Sequence, residues 1–137
     1  IPDSVKSIGA RAFAYCKKLQ SIKLPKKIKK IEDYTFSGCT SLKSITIPDS
    51  VTGIGDSAFS ECSSLKSITI PKNVTSIGDF AFYKCTGLEK VTVPNKVNSI
   101  GKYAFEDCDK LKSITIPKNV EHMGEWPFPY WTEIKYK

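Results

Sequence analysis

The chain is poor in the residues that carry most enzyme chemistry. Its 137 residues include one histidine, one methionine and one arginine, Arg11. A Ser/His or Cys/His pair would have to be built on His122, and no aspartate or nucleophile recurs beside it. No Gly-rich phosphate loop, paired acid/base carboxylates or metal-ligand cluster is present, so no catalysis and no cofactor are expected. No apolar run approaches the ~18–20 residues of a membrane span, which speaks against membrane insertion. With a single arginine and no aromatic residues among its lysines, the chain lacks the usual means of gripping nucleic acid, although its formal charge is +7. The five cysteines cannot all pair within one chain, and none lies two to four residues from another, as zinc sites require.

What is present is a period. Cysteines stand at 16, 39, 62, 85 and 108, each 23 residues after the last. Phe13, Phe36, Phe59, Phe82, Phe105 and Phe128 keep the same step. Leu19, Leu42, Leu65, Leu88 and Leu111 do so too, with Ile134 extending the column. Prolines recur at 2, 25, 48, 71, 94 and 117, and glycines at 9, 55, 78, 101 and 124, with Glu32 in the vacant place. A unit of this size cannot bury its apolar set alone, whereas stacked copies can. The chain therefore reads as one solenoid domain over 1–137, with 122–137 as a divergent terminal coil.

Within a unit, Ile45 and Ile47 alternate with Ser44 and Thr46, the period of a half-buried strand that Pro48 ends. Ala58, Phe59 and Cys62 match one face of a short helix, with Asp56 placed to cap it. Parallel pairing at ~4.8 Å per coil makes six coils a stack of about 30 Å. The cysteine column reads as a ladder of buried free thiols that fill space. Asp33, Asp56 and Asp79 form a second column, read as helix caps or, less simply, as a calcium ladder that Lys102 interrupts.

The motif Ile54-Gly55-x-x-Ala58-Phe59-x-x-Cys62-x-x-Leu65-x-x-Ile68-x-Ile70-Pro71 and its relatives resemble the leucine-rich repeats of the BspA-like type. The resemblance spans essentially the whole chain. It implies a right-handed α/β solenoid of about six coils, with a parallel sheet on the concave face and short helical turns on the convex face. It also implies a cell-surface or secreted protein, adhesin-like, binding host or matrix proteins.

If Ile45 and Ile47 point inward, the outward columns form the candidate binding face. These are Lys23, Ser44, Thr46, Ser67, Thr69, Lys90, Thr92, Ser113 and Thr115, flanked by Lys43, Lys66, Lys112 and Lys135. Such a surface suits a protein partner, especially an acidic one, and leaves a glycan or envelope polymer open. Hydroxyl ladders that bind nothing, in a rigid spacer, are the alternative. Lysine is also dense early, at 17, 18, 23, 26, 27, 29 and 30.

The ends differ. The chain begins at Ile1-Pro2, in mid-repeat, which reads as a fragment or matured chain whose first coil lacks a cap and invites end-to-end association. Near the other end Pro127 replaces the alanine and Trp131 the cysteine. Trp126, Tyr130 and Trp131 read either as an aromatic cap or as a binding patch.

Overall fold

The 23-residue period becomes two parallel sheets joined by tight turns. The computed structural model describes residues 1–137 and contains β1 (Lys30–Ile31), β2 (Gly53–Ile54), β3 (Ser67–Thr69), β4 (Ser76–Ile77), β5 (Lys90–Thr92), β6 (Ser99–Ile100), β7 (Ser113–Ile116), β8 (His122–Met123) and β9 (Glu133–Tyr136). One sheet runs β3-β5-β7-β9, and the other β1-β2-β4-β6-β8. All pairs are parallel. The first sheet is the one read from the sequence. The second was not expected, because each of its strands is two residues long and offers a single alternation. An isolated bridge, Lys23 to Thr46, extends the first sheet's pairing to the earliest coils.

Between the second sheet and the next strand of the first, the expected helical turns are replaced by an arc with no helix. In each central coil the arc uses two kinds of backbone bond. Some amides close turns three residues back: Ala58 N–H donates to Gly55, Ser60 to Ser57 and Cys62 to Phe59. Alternate amides cross to the next coil: Ser57 donates to Asp79, Phe59 to Ala81 (2.8 Å) and Glu61 to Tyr83. The crossing bonds require a backbone that reverses hand. Ser57 (φ 52°) and Glu61 (φ 61°) are left-handed, and the same two places are left-handed at Phe80 and Lys84 and at Tyr103 and Asp107. A left-handed non-glycine residue costs roughly 1–2 kcal/mol, and here the crossing bonds offset that cost. At the equivalent of Glu61 one coil uses Gly38, whose added Cβ would meet the Tyr15 ring at 2.5 Å.

Asp56 is consequently no helix cap. Asp33 Oδ1 accepts the N–H of Asp56 (2.8 Å), Asp56 Oδ1 that of Asp79 (2.8 Å), and Asp79 Oδ1 that of Lys102 (3.0 Å). The column is a ladder that ties each coil to the one after it. It also explains the glycine column, since a Cβ on Gly78 would meet Asp56 Oδ1 at 2.5 Å and Asp56 N at 2.7 Å. The neighbouring backbone alone is enough to exclude a side chain, since a Cβ on Gly124 would fall against the backbone of Lys102, where the column has no carboxylate.

The core is a single cluster of columns. The six repeat phenylalanines form one continuous stack with centroids 5.0–5.7 Å apart. Phe36, Phe59, Phe82 and Phe105 are fully buried, as are Leu42, Leu65, Leu88 and Leu111.

The last coil keeps Phe128 in its column and then contracts. Ile134 pairs with Ile114 and Lys135 with Thr115, a step of 20 residues in place of 23. Ile134 therefore lies beside the inward isoleucines and does not extend the leucine column. Lys135 joins the threonine column and not that of Lys112. Thr132 takes the leucine's place, donating its hydroxyl to the Leu111 carbonyl at 2.6 Å. Trp131 does not replace a cysteine: it is 41% exposed, while Pro129 is buried.

Candidate functional site

The outer face of the β3-β5-β7-β9 sheet is assembled by register alone. Parallel pairing sets Ser67 beside Lys90, Thr69 beside Thr92, and Thr92 beside Thr115. Because strand residues alternate, Ile68 and Ile114 face the core while these hydroxyls and ammoniums face out. Of the thirteen residues chosen from sequence, Ser113 is half-buried and the other twelve are exposed, Lys23, Ser44 and Thr46 among them. The structure thus gathers the chosen set on one surface, with Lys43, Lys66 and Lys112 along its margin. At the last coil Glu133 stands beside Ser113, so the face ends in an ion pair, Lys135 to Glu133 at 4.0 Å.

The lysine margin borders a shallow depression lined by Lys43, Lys66, Lys110, Ser63, Ser64 and Gly87. It contains no carboxylate, and none of its three lysines has one within ion-pairing distance. Its floor depends on Gly87, whose added Cβ would meet the Ser63 carbonyl at 2.5 Å. Ser63, Ser64, Gly87 and Lys110 were not singled out from sequence. The signal was available, since Lys18, Ser41, Ser64, Gly87 and Lys110 also share a 23-residue column.

The thiol column lies in the core and not on this face. Cys62, Cys85 and Cys108 are fully buried and donate Sγ–H to the carbonyls of Phe36, Phe59 and Phe82 at 3.0–3.2 Å. Each bond reaches back to the preceding coil, so the thiols fill space and also cross-link the stack. Burial pushes the Cys39 thiol up to about 11 and the Cys108 thiol up to about 12. Cys62 and Cys85 are raised by burial and then by neighbouring thiols. A thiol held protonated in this way is a poor nucleophile and a poor metal ligand.

On the turn side, Phe80 stacks on Tyr103 at 5.1 Å and Arg11 lies over the Tyr34 ring at 4.6 Å. These rings spend their faces on one another. In the last coil, by contrast, Trp126 is 64% exposed and Tyr130 is 88% exposed. No helix is long and apolar enough to cross a membrane.

Comparison with known proteins agrees with this geometry. The profile of the BspA type leucine rich repeat region matches residues 6–135 in six copies. A leucine-rich repeat protein from Bacteroides ovatus is 41% identical, with a TM-score of 0.81 over 90% of this chain and 36% of its own length. The leucine rich repeat protein of T. pallidum is 30% identical, with a TM-score of 0.78 over 95% of this chain and 67% of its own. A leucine rich cell surface protein from Faecalibacterium prausnitzii is 26% identical, with a TM-score of 0.63, and this chain spans 51% of it. The sequence has no significant match among curated proteins. The chain belongs to the BspA-type leucine-rich repeat family.

Proposed function

We propose that the chain is a protein-interaction module of a cell-surface or secreted protein, adhesin-like, and that it binds without catalysis. The observation that carries this reading is the outer face of the four-stranded sheet. It is an exposed, register-aligned field of Ser, Thr and Lys side chains with an unpaired lysine margin. Small hydroxyls let a partner backbone approach closely, and the margin favours an acidic partner and speeds its encounter. The cell-surface description of one similar structure supports the location.

The test is a pull-down of purified extracellular-matrix proteins by the wild-type chain and by a Lys43→Glu/Lys66→Glu/Lys112→Glu variant. Capture that weakens with salt and is lost in the variant supports the face. Equal capture by both places the contact elsewhere. No capture of any matrix protein by the folded wild-type chain favours a rigid spacer.

A further inference from the structure

The chain's charge is concentrated at one end of the stack. Residues 1–46 hold ten Lys or Arg against three Asp or Glu, a net +7. Residues 47–137 hold eleven of each, a net of zero. The whole excess of the protein therefore belongs to its first two coils. On their flank, Lys6, Lys26, Lys27 and Lys29 line one cleft with Ser50, and Lys26 also borders the sheet face beside Lys23 and Thr46. Lys26 has a distant partner in Asp3 at 4.0 Å, and Lys6, Lys27 and Lys29 have no carboxylate within ion-pairing range. Lys6 and Lys29 occupy the same place in successive coils, about 4.8 Å apart along the ladder. Two like charges at one ladder step repel, and nothing in the fold relieves them. The same column goes on as Thr52, Thr75, Asn98 and Glu121, so the position does not require a cation.

We infer that this cleft is a second binding site, distinct from the lysine margin of Lys43, Lys66 and Lys112, for a linear sulfated polysaccharide. The chemistry of the lining selects that class. Unlike the sheet face, the cleft offers no register-aligned row of small hydroxyls on which a partner backbone could lie, and four of its five lining residues are lysines. Nucleic acid would be served by arginine forks and stacking aromatics, and the cleft has neither. Lysines are compact point charges on flexible arms, suited to sulfates spaced irregularly along a sugar chain. Ser50 keeps its hydroxyl bonded to the Ile28 carbonyl at 2.7 Å, so its oxygen remains free to accept from a sugar hydroxyl. Lys17, Lys18 and Lys23 of the same coils are exposed as well.

The experiment is calorimetric titration of the full chain with a heparin octasaccharide at physiological salt. Two variants of equal net charge are compared, Lys6→Gln/Lys27→Gln/Lys29→Gln and Lys84→Gln/Lys96→Gln/Lys118→Gln. Circular dichroism melts verify that both fold, as expected for exposed side chains. Loss of three phosphate- or sulfate-type contacts should weaken binding at least about tenfold and flatten the salt dependence, while the control loses less than about threefold. Equal losses in the two variants, or none in either, would overturn the site. Three further probes serve as arms: fully desulfated heparin, polyglutamate and duplex DNA. Octasaccharide binding that exceeds all three supports the class assigned. Polyglutamate or DNA binding as tightly as the octasaccharide overturns it, in favour of an acidic peptide or nucleic acid respectively. None of these results depends on Lys43, Lys66 or Lys112, so the sheet-face reading stands or falls separately.

Discussion

The central coils and the last coil share a backbone pattern but not an interior. Between Leu24 and Ile116 the stack buries whole columns of Phe, Leu, Cys and Ile. From Glu121 onward only Phe128, Pro129 and Thr132 are buried, and six of the nine exposed large hydrophobics of the chain fall here. Yet β8 and β9 continue both sheets. The comparison separates two sources of order. Strand pairing is templated by the preceding coil, whereas burial requires the repeat residues themselves. A coil can therefore lose its cysteine and shorten by three residues while still docking, provided Phe128 holds its place in the stack.

Removing one ring from each region should separate the two most strongly. Phe82→Ala should cost about 3–5 kcal/mol in urea denaturation, the usual range for a fully buried ring. Phe128, stacked on one side only, should cost clearly less. Equal losses would show that the last coil is as integral as the others.

Next in size is the aspartate ladder. Gly78→Ala drives a Cβ against the Asp56 backbone and should destabilise by about 1–3 kcal/mol. The same melt on an Asp56→Ala/Gly78→Ala double variant should recover part of the loss only if the carboxylate, and not the backbone nitrogen, is the main obstacle.

The thiols make a pH prediction. The folded-state values of Cys39 and Cys108 lie above that of a free thiol, near 8.5, so the protonated form is favoured by folding. Their contribution is complete below about pH 8.5 and is lost as pH rises toward about 11 to 12. Chemical denaturation at pH 7 through 11 should show stability falling above pH 8.5, and less steeply in a Cys39→Ala/Cys108→Ala variant. A flat profile in the wild type would contradict the buried ladder. The smallest effect is expected at the surface of the last coil, where Tyr130→Ala and Trp131→Ala should each stay within about 0.5 kcal/mol.

Much of the architecture was legible because the period is unbroken from Phe13 to Phe128. Column membership, inward isoleucines and the outward hydroxyl face follow from counting. Three features were not legible, each for a physical reason. The spacing of Ala58, Phe59 and Cys62 fits a helix, and the left-handed residues that forbid one are Ser57 and Glu61, types with no strong preference for that conformation. Strands as short as Gly53–Ile54 give no alternation to read. The contraction of the last coil falls between Phe128 and Ile134, where no cysteine or leucine marks the register. The sheet-face residues were readable, but the cleft beside Lys6 was not, because its members come from three successive coils and different columns.

Alternate amides of the turn arc bond across coils and not along a helix. Trans-hydrogen-bond scalar couplings in a 15N,13C-labelled sample read this bonding bond by bond. Couplings are expected from the Phe36, Phe59 and Phe82 amide nitrogens to the carbonyl carbons of Ala58, Ala81 and Ala104. A coupling from Phe59 to the carbonyl of Gly55, four residues back in its own coil, would contradict it.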